Sequence, residues 1–197
     1  SKPNLLIDIQ AKMQQANSPG FERWAKIFNL KEMAKTVMYL QENGLTDLGE
    51  LEKVCDVAVQ KFNSLADQTK TASARMKDIS ELQRHVGTYS KTREIYAQYR
   101  KLTGRKRDKF YEQHISEITA CQAAKRYFDS LGLKKLPSMQ SLKQEYAMLQ
   151  AENKKRYPEY KQAREKMIEL LTAKNNVDRI LGVTEKEKNR DRQQEAR

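Results

Sequence analysis

Two histidines are the only imidazoles in this chain, His85 and His114, and 28 residues lie between them. A metal site needs His, Cys or carboxylate ligands at spacings that a helical turn or a tight loop can converge. Neither histidine has a second His or a Cys at such a spacing, and Cys55 and Cys121 do not form a CxxC pair. HExxH, GxGxxG, GxSxG and the phosphate-loop pattern GxxxxGK are absent. Asp and Glu recur three and four positions from Lys and Arg, as on solvated helix faces, and nothing marks an acid–base carboxylate pair. These residue types imply no catalytic centre, no metal and no cofactor. Both histidines read as surface or packing residues.

Aromatic and cationic side chains offer a different chemistry. Tyr89, Tyr96 and Tyr99 interleave with Arg93, Arg100 and Lys101, and Arg105, Lys106 and Arg107 come next. Rings of this kind stack on bases while the cations hold phosphates. In the alternative reading the tyrosines pack between helices and the cations stay solvated. The net charge of +12 is uneven: residues 1–50 hold six basic and six acidic groups, whereas residues 51–103 and 104–137 carry +4 each and 138–182 carry +3. Such an excess favours a polyanionic partner through counterion release. A basic coiled coil with no ligand has the same composition.

The elements that would position these groups are helical. Charged residues make up 32% of the chain, with only 7 Gly and 4 Pro among 197 residues, a mix that suits long solvated helices. Residues 1–44 read as N-terminal helices: one over 4–17 with Leu5, Leu6, Ile9 and Met13 at helical spacing, a break at Asn17-Ser18-Pro19-Gly20, and a second region from Phe21 to Glu42 with a bend and cap near Asn29. Asn43-Gly44 ends it. Residues 45–103 form the first long helix, started at Asp47 with Glu50 placed for a capping box. At 1.5 Å per residue such a helix is a rod of roughly 80 Å.

Its seam is Leu51, Cys55, Ala58, Phe62, Leu65, Thr69, Ala72, Met76 and Ile79, alternating steps of four and three as in a left-handed coiled coil. Beyond Ile79 the register blurs, which predicts a change of partner. Residues 104–137 form a helical insert, of one or two helices, and an extended linker before Pro137. Ser138 caps the second long helix, 138–182, with Leu142, Tyr146, Leu149, Asn153, Arg156, Tyr160, Ala163, Met167, Leu170, Lys174, Val177 and Leu181 in its seam.

These elements define an all-α fold class: a long antiparallel coiled-coil helical hairpin, a small helical insert at its tip, and short N-terminal helices at its base. Taking Leu51 and Leu181 as flush ends sets Phe62 opposite Leu170, Leu65 opposite Met167 and Ile79 near Asn153. Pro158 inside the second rod removes a hydrogen bond and marks a weak point, or with Asn153 and Arg156 helps set register. Residues 183–197 have no apolar face and read as a mobile polar tail.

The two cysteines lie in helical patterns and read as buried thiols of a reducing, cytoplasmic compartment rather than a disulfide. No apolar run is long enough to span a membrane. The chain begins Ser1-Lys2-Pro3 with no signal-like segment, as a piece of a longer polypeptide would.

Several blocks resemble one family. Asn4-Leu-Leu-Ile-Asp-Ile-Gln-Ala-Lys12, Gly20-Phe-Glu-Arg-Trp-Ala-Lys26 and Phe28-Asn-Leu-Lys-Glu-Met-Ala-Lys35 are similar to the region behind the nuclease domain of conjugative relaxases, the mobilisation nucleases of mobilisable and integrative elements. So are Tyr89-Ser-Lys-Thr-Arg-Glu94, Leu131-Gly-Leu-Lys-Lys-Leu-Pro137, Glu145-Tyr-Ala147, Leu170-Leu-Thr-Ala-Lys174 and Asn176-Val-Asp-Arg-Ile-Leu-Gly182. The likeness runs in order over nearly all of residues 4–182. In that family a tyrosine of the N-terminal domain nicks one DNA strand with help from a metal held by a histidine cluster. Two isolated histidines do not make such a site.

The resemblance therefore implies a non-catalytic helical accessory domain acting in DNA transfer. Its partners would be DNA at the origin of transfer, single or double stranded, and accessory or coupling proteins of the relaxosome. The other reading is a structural spacer or dimerisation coiled coil, forming a homodimer without nucleic acid.

Overall fold

The computed structural model describes residues 4–14 and 29–196. Among them are six helices and no strand: α1 (Leu5–Gln14), α2 (Leu30–Glu42), α3 (Leu48–Lys101), α4 (Gly104–Gln113), α5 (Ile115–Ser130) and α6 (Met139–Glu195). The chain is an all-α hairpin in which the long helices α3 and α6 pack antiparallel. It divides into a terminal unit, residues 1–66 and 158–197, and an insert unit, residues 67–157, with α3 and α6 contributing to both.

Local chemistry places the helix ends. Asn29 Oδ1 accepts the Lys31 N–H at 2.9 Å, Asp47 Oδ1 the Gly49 N–H at 3.3 Å, and Ser138 Oγ the Ser141 N–H at 3.0 Å. Each satisfies a first-turn donor that the helix itself leaves orphaned. Gly104 (φ +63°) and Gly132 (φ +66°) take the left-handed conformation that lets the chain turn out of α3 and out of α5.

In the terminal unit four helices share one core. Leu5 and Ile9 of α1 and Met33, Val37 and Leu40 of α2 close over Leu51, Cys55 and Ala58 of α3 and Leu170, Val177 and Ile180 of α6. Fully burying the Leu, Ile, Val and Met side chains among them is worth about 1.5–3 kcal/mol each. Buried polar groups are matched: Asn176 Nδ2 donates to Thr36 Oγ1 at 3.1 Å, and that hydroxyl donates to the Glu32 carbonyl at 2.9 Å. The Cys55 thiol points at the Leu170 carbonyl, 3.5 Å away, and burial pushes its pKa up. Cys55 and Cys121 are both free and buried.

The insert unit has a thinner core. Ile79 and Leu82 pack on Leu142, with Val86, Tyr127, Leu133, Tyr146 and Leu149 around them. Past Ile79, α3 turns its side chains to α5: His85 stacks on Tyr127 (3.9 Å, 18°), and Tyr89 meets Phe128 edge-on at 6.0 Å. Arg75 and Glu145 join α3 to α6 through two parallel hydrogen bonds, 2.7 and 3.0 Å. Inside the seam, Arg156 donates to Asn153 Oδ1 at 2.8 Å, while Asn153 Nδ2 reaches Ser73 Oγ at 3.4 Å.

Two expectations need correction, and some fall outside the described residues. The pairing register is one heptad away from the flush-ended one. Leu170 sits beside Cys55 rather than Phe62, Phe62 meets Tyr160 at 5.3 Å, and Asn153 lies by Ser73 and Met76 rather than Ile79. A seven-residue stripe looks the same after a seven-residue slide, so pattern alone cannot select between the two. The second correction is that α6 does not end at Gly182; it continues as helix to Glu195. A lone helical glycine costs only about 1 kcal/mol relative to Ala, and residues 183–195 are rich in Glu, Lys, Arg and Gln, which are good helix formers. Pro158 lies inside α6, as the sequence placed it. The Asn17–Gly20 break and the Phe21–Phe28 stretch of the second N-terminal helix lie outside the described residues.

Of the expected seam positions, Leu51, Cys55, Ala58, Leu65, Ile79, Leu142, Leu170 and Val177 are buried. Phe62, Met76, Tyr146, Leu149, Tyr160, Met167 and Leu181 are half-buried. Ala173 and Ile180 join them because α6 there also faces α1 and α2, which widens its apolar face beyond a two-helix seam.

Candidate nucleic-acid interface

The residues singled out for nucleic-acid contact all lie in the insert unit, where α3, α4 and α5 meet. Arg93, Arg100 and Lys101 stand exposed on the last turns of α3, and Arg105, Lys106 and Arg107 stand exposed on the first turn of α4. The two groups sit in opposite helix fields. A helix C-terminus carries partial negative charge and favours Arg100 and Lys101, whereas an N-terminus carries partial positive charge and disfavours Arg105, Lys106 and Arg107. No acidic residue occupies that first turn of α4, and its N-cap, Thr103, makes no side-chain capping bond. The helix field gives no reason for three cations there.

The tyrosines form the packing beneath. Tyr96 and Tyr99 are half-buried, with ring centroids 6.3 Å apart, and Tyr99 lies 5.7 Å from Tyr111 of α4. The Arg107 guanidinium sits 4.5 Å over the Tyr99 ring and the Lys125 ammonium 5.0 Å over Tyr96. Each such contact is worth about 0.5–1 kcal/mol at an exposed site. The cluster thus ties α3, α4 and α5 together and holds two cations in fixed positions. Tyr111 and Lys125 were not singled out from sequence. Lys125 reaches Tyr96 only because α5 folds back on α3, and no local spacing signals that.

Charge is segregated between the units. The insert unit holds 20 Lys and Arg against 10 Asp and Glu, a net +10, and the rest of the chain holds 18 against 16, a net +2. Among the described residues, only Arg75 and Arg84 of those 20 cations have a carboxylate oxygen within 4 Å, from Glu145 and Glu81. A row that sequence reasoning missed contributes: Lys70, Lys77, Arg84 and Lys91 recur every seven residues on α3, and all four are exposed. Seven residues advance a helix by about 10.5 Å at nearly constant azimuth, so the row forms one stripe. The spacing was visible in the sequence once the outward face of the heptad was read alongside its seam.

The histidines serve packing. Burial against Tyr127, then the neighbouring Arg84, lowers the His85 pKa, with Glu81 partly opposing them. His114 joins α4 to α5, its ring 4.4 Å from Phe110. Its buried Nδ1 has no hydrogen-bond partner, the nearest carboxylate being Glu117 at 4.0 Å. Among the described residues, no group of three His, Cys, Asp or Glu side chains could hold a metal ion, and no helix is long and apolar enough to cross a membrane. Comparison with protein-family models, curated proteins and solved structures finds no match to this chain.

Proposed function

We propose that this chain is a non-catalytic helical accessory region of a conjugative relaxase, working in the cytoplasm, and that its insert unit holds DNA at the origin of transfer. The relaxase setting rests on the resemblance of the sequence blocks. The DNA contact rests on one observation above the others: the insert unit carries a net charge of +10, and 18 of its 20 cations have no carboxylate within 4 Å among the described residues. Charges left facing water repel one another, and a polyanion removes that repulsion while releasing its own counterions. Arg107, held on Tyr99, and Lys125, held on Tyr96, lose less side-chain freedom than free cations when a phosphate arrives.

Fluorescence anisotropy with origin-of-transfer DNA, duplex and single stranded, tests this across a salt series. The wild-type logarithmic slope should report several phosphate contacts, each adding about 0.9 for duplex or 0.7 for single strands. Reversing Arg105, Lys106 and Arg107 together to Glu should weaken binding by about tenfold or more and flatten that slope. Unchanged affinity and slope would leave the helices as a spacer or dimerisation arm.

A further inference from the structure

The terminal unit carries a second surface that the DNA reading does not use. Between α3 and α6 lies an open groove of about 560 Å³. Its floor is Val54, Val57, Ala58 and Ala163, and its rim carries Lys53, Lys61 and Lys166. Ala58 and Ala163 are buried and small, so the two helices leave a depression where larger residues would have filled it. Val57 beside them is 64% exposed, the most exposed of the large apolar side chains described. It lies off the α3–α6 seam, and no helix of the described chain covers it.

The rim decides what could cover it. None of Lys53, Lys61 and Lys166 has a carboxylate oxygen within 4 Å among the described residues. Antiparallel pairing, marked by Phe62 against Tyr160, sets Lys53 and Lys166 toward one end and Lys61 with Glu159 toward the other. The first end is therefore purely cationic, in a unit whose overall charge is close to balanced. Lys53 to Lys61 spans eight residues, about 12 Å or two helical turns. An apolar floor of that length between two helices suits an amphipathic helix laid into the groove.

We infer that this groove receives an amphipathic helix of a partner protein, with a narrow apolar stripe set on Val57 and the alanines and acidic residues on its flanks. The partner helix completes a local three-helix coil, and its carboxylates neutralise Lys53 and Lys166. Nucleic acid fits less well, because Val57 and the alanines offer its phosphates nothing.

The test uses the full chain and two synthetic amphipathic peptides roughly three heptads long, identical except that one has Glu and the other Lys on its flanks. The Glu peptide should bind at least about tenfold more tightly than the Lys peptide, a gap of about 1.4 kcal/mol. Val57→Asp should weaken the Glu peptide by a similar factor. Lys53→Glu with Lys166→Glu should reverse the preference. Leu171→Ser, which alters an exposed apolar residue of α6 outside the groove, should change nothing. Val57 is largely solvated, so its variant should keep the wild-type circular dichroism.

Equal binding of both peptides, or indifference to Val57→Asp, overturns the inference. So does self-association abolished by Val57→Asp with no peptide binding, since the occupant is then a second copy. Reversing Arg105, Lys106 and Arg107 should leave peptide binding intact, which separates this surface from the DNA reading.

Discussion

The terminal and insert units are built on the same two helices and solve opposite problems. In the terminal unit α1 and α2 lie over α3 and α6, and twelve buried residues form one cluster under a surface of nearly balanced charge. In the insert unit Ile79, Leu82 and Leu142 form a smaller cluster, α5 buries Ile118, Cys121, Ala124 and Phe128 besides, and the unit carries twice as many cations as acids. Aromatic and bidentate contacts do much of the joining there: His85 on Tyr127, Tyr99 with Tyr111, Arg75 with Glu145. The contrast teaches that one heptad seam can serve two ends. Where α1 and α2 lie over it the seam joins one large core beneath a nearly balanced surface, and where α3 turns to α5 it carries a surface rich in cations.

Core truncation gives the largest expected effect and could break this comparison. Leu170→Ala in the terminal unit and Leu142→Ala in the insert unit each remove a side chain that is at most 2% exposed. Each should cost about 2–5 kcal/mol. Native-state hydrogen exchange should show Leu170→Ala exposing α1 and α2, and Leu142→Ala exposing α5. Identical loss of protection throughout the chain for both variants would mean that the two units open as one.

Salt should sharpen the contrast. Screening weakens repulsion among exposed like charges, so raising ionic strength should increase exchange protection in α4 and α5 more than in α1 and α2. An equal response would show that the insert unit's charge does not strain it.

A smaller effect is expected from pH. The folded His85 pKa lies below its ordinary value, so the unfolded chain binds the proton first as pH falls. Stability from this group is complete above the ordinary histidine range, about pH 6.5, and declines as pH drops through that range toward the folded value. Thermal melts from pH 7 to 5 should show wild type losing more stability than His85→Phe, which keeps a ring against Tyr127. Parallel curves would remove His85 as the cause.

The smallest effect belongs to Arg75 and Glu145, whose side chains are 44% and 36% exposed. A double-mutant cycle to Ala should give a coupling of about 0.2–1 kcal/mol. The hydrogen bond from Arg75 holds the Glu145 carboxyl below its usual pKa, so the coupling should be present above the ordinary carboxylate range and fade as pH falls through it. Coupling that persists at a pH where Glu145 is protonated would show that packing rather than charge joins the pair.

Much of this was legible in the residues because it depends on near neighbours. Heptad spacing marks Leu51 to Ile79 and Leu142 to Leu181 as stripes, Asn29 and Ser138 mark helix starts, and Gly104 and Gly132 mark turns. The loss of register after Ile79 foretold the switch of α3 from α6 to α5. The cations at 93, 100, 101 and 105–107 could be listed from spacing, but not which of them lies on a ring. Arg107 on Tyr99 and Lys125 on Tyr96 depend on how α4 and α5 fold back, which no local pattern encodes.

By itself, then, the sequence determined where the helices start, which face of each long helix is apolar, and how much positive charge lies between them, because periodicity and composition act along the chain. Only the tertiary structure decided the register, the continuation of α6 beyond Gly182, the grouping of cations with rings, and the groove at Val57. A stripe repeating every seven residues has the same energy pattern after a seven-residue slide. Contacts outside it, such as Asn176 with Thr36, select one arrangement.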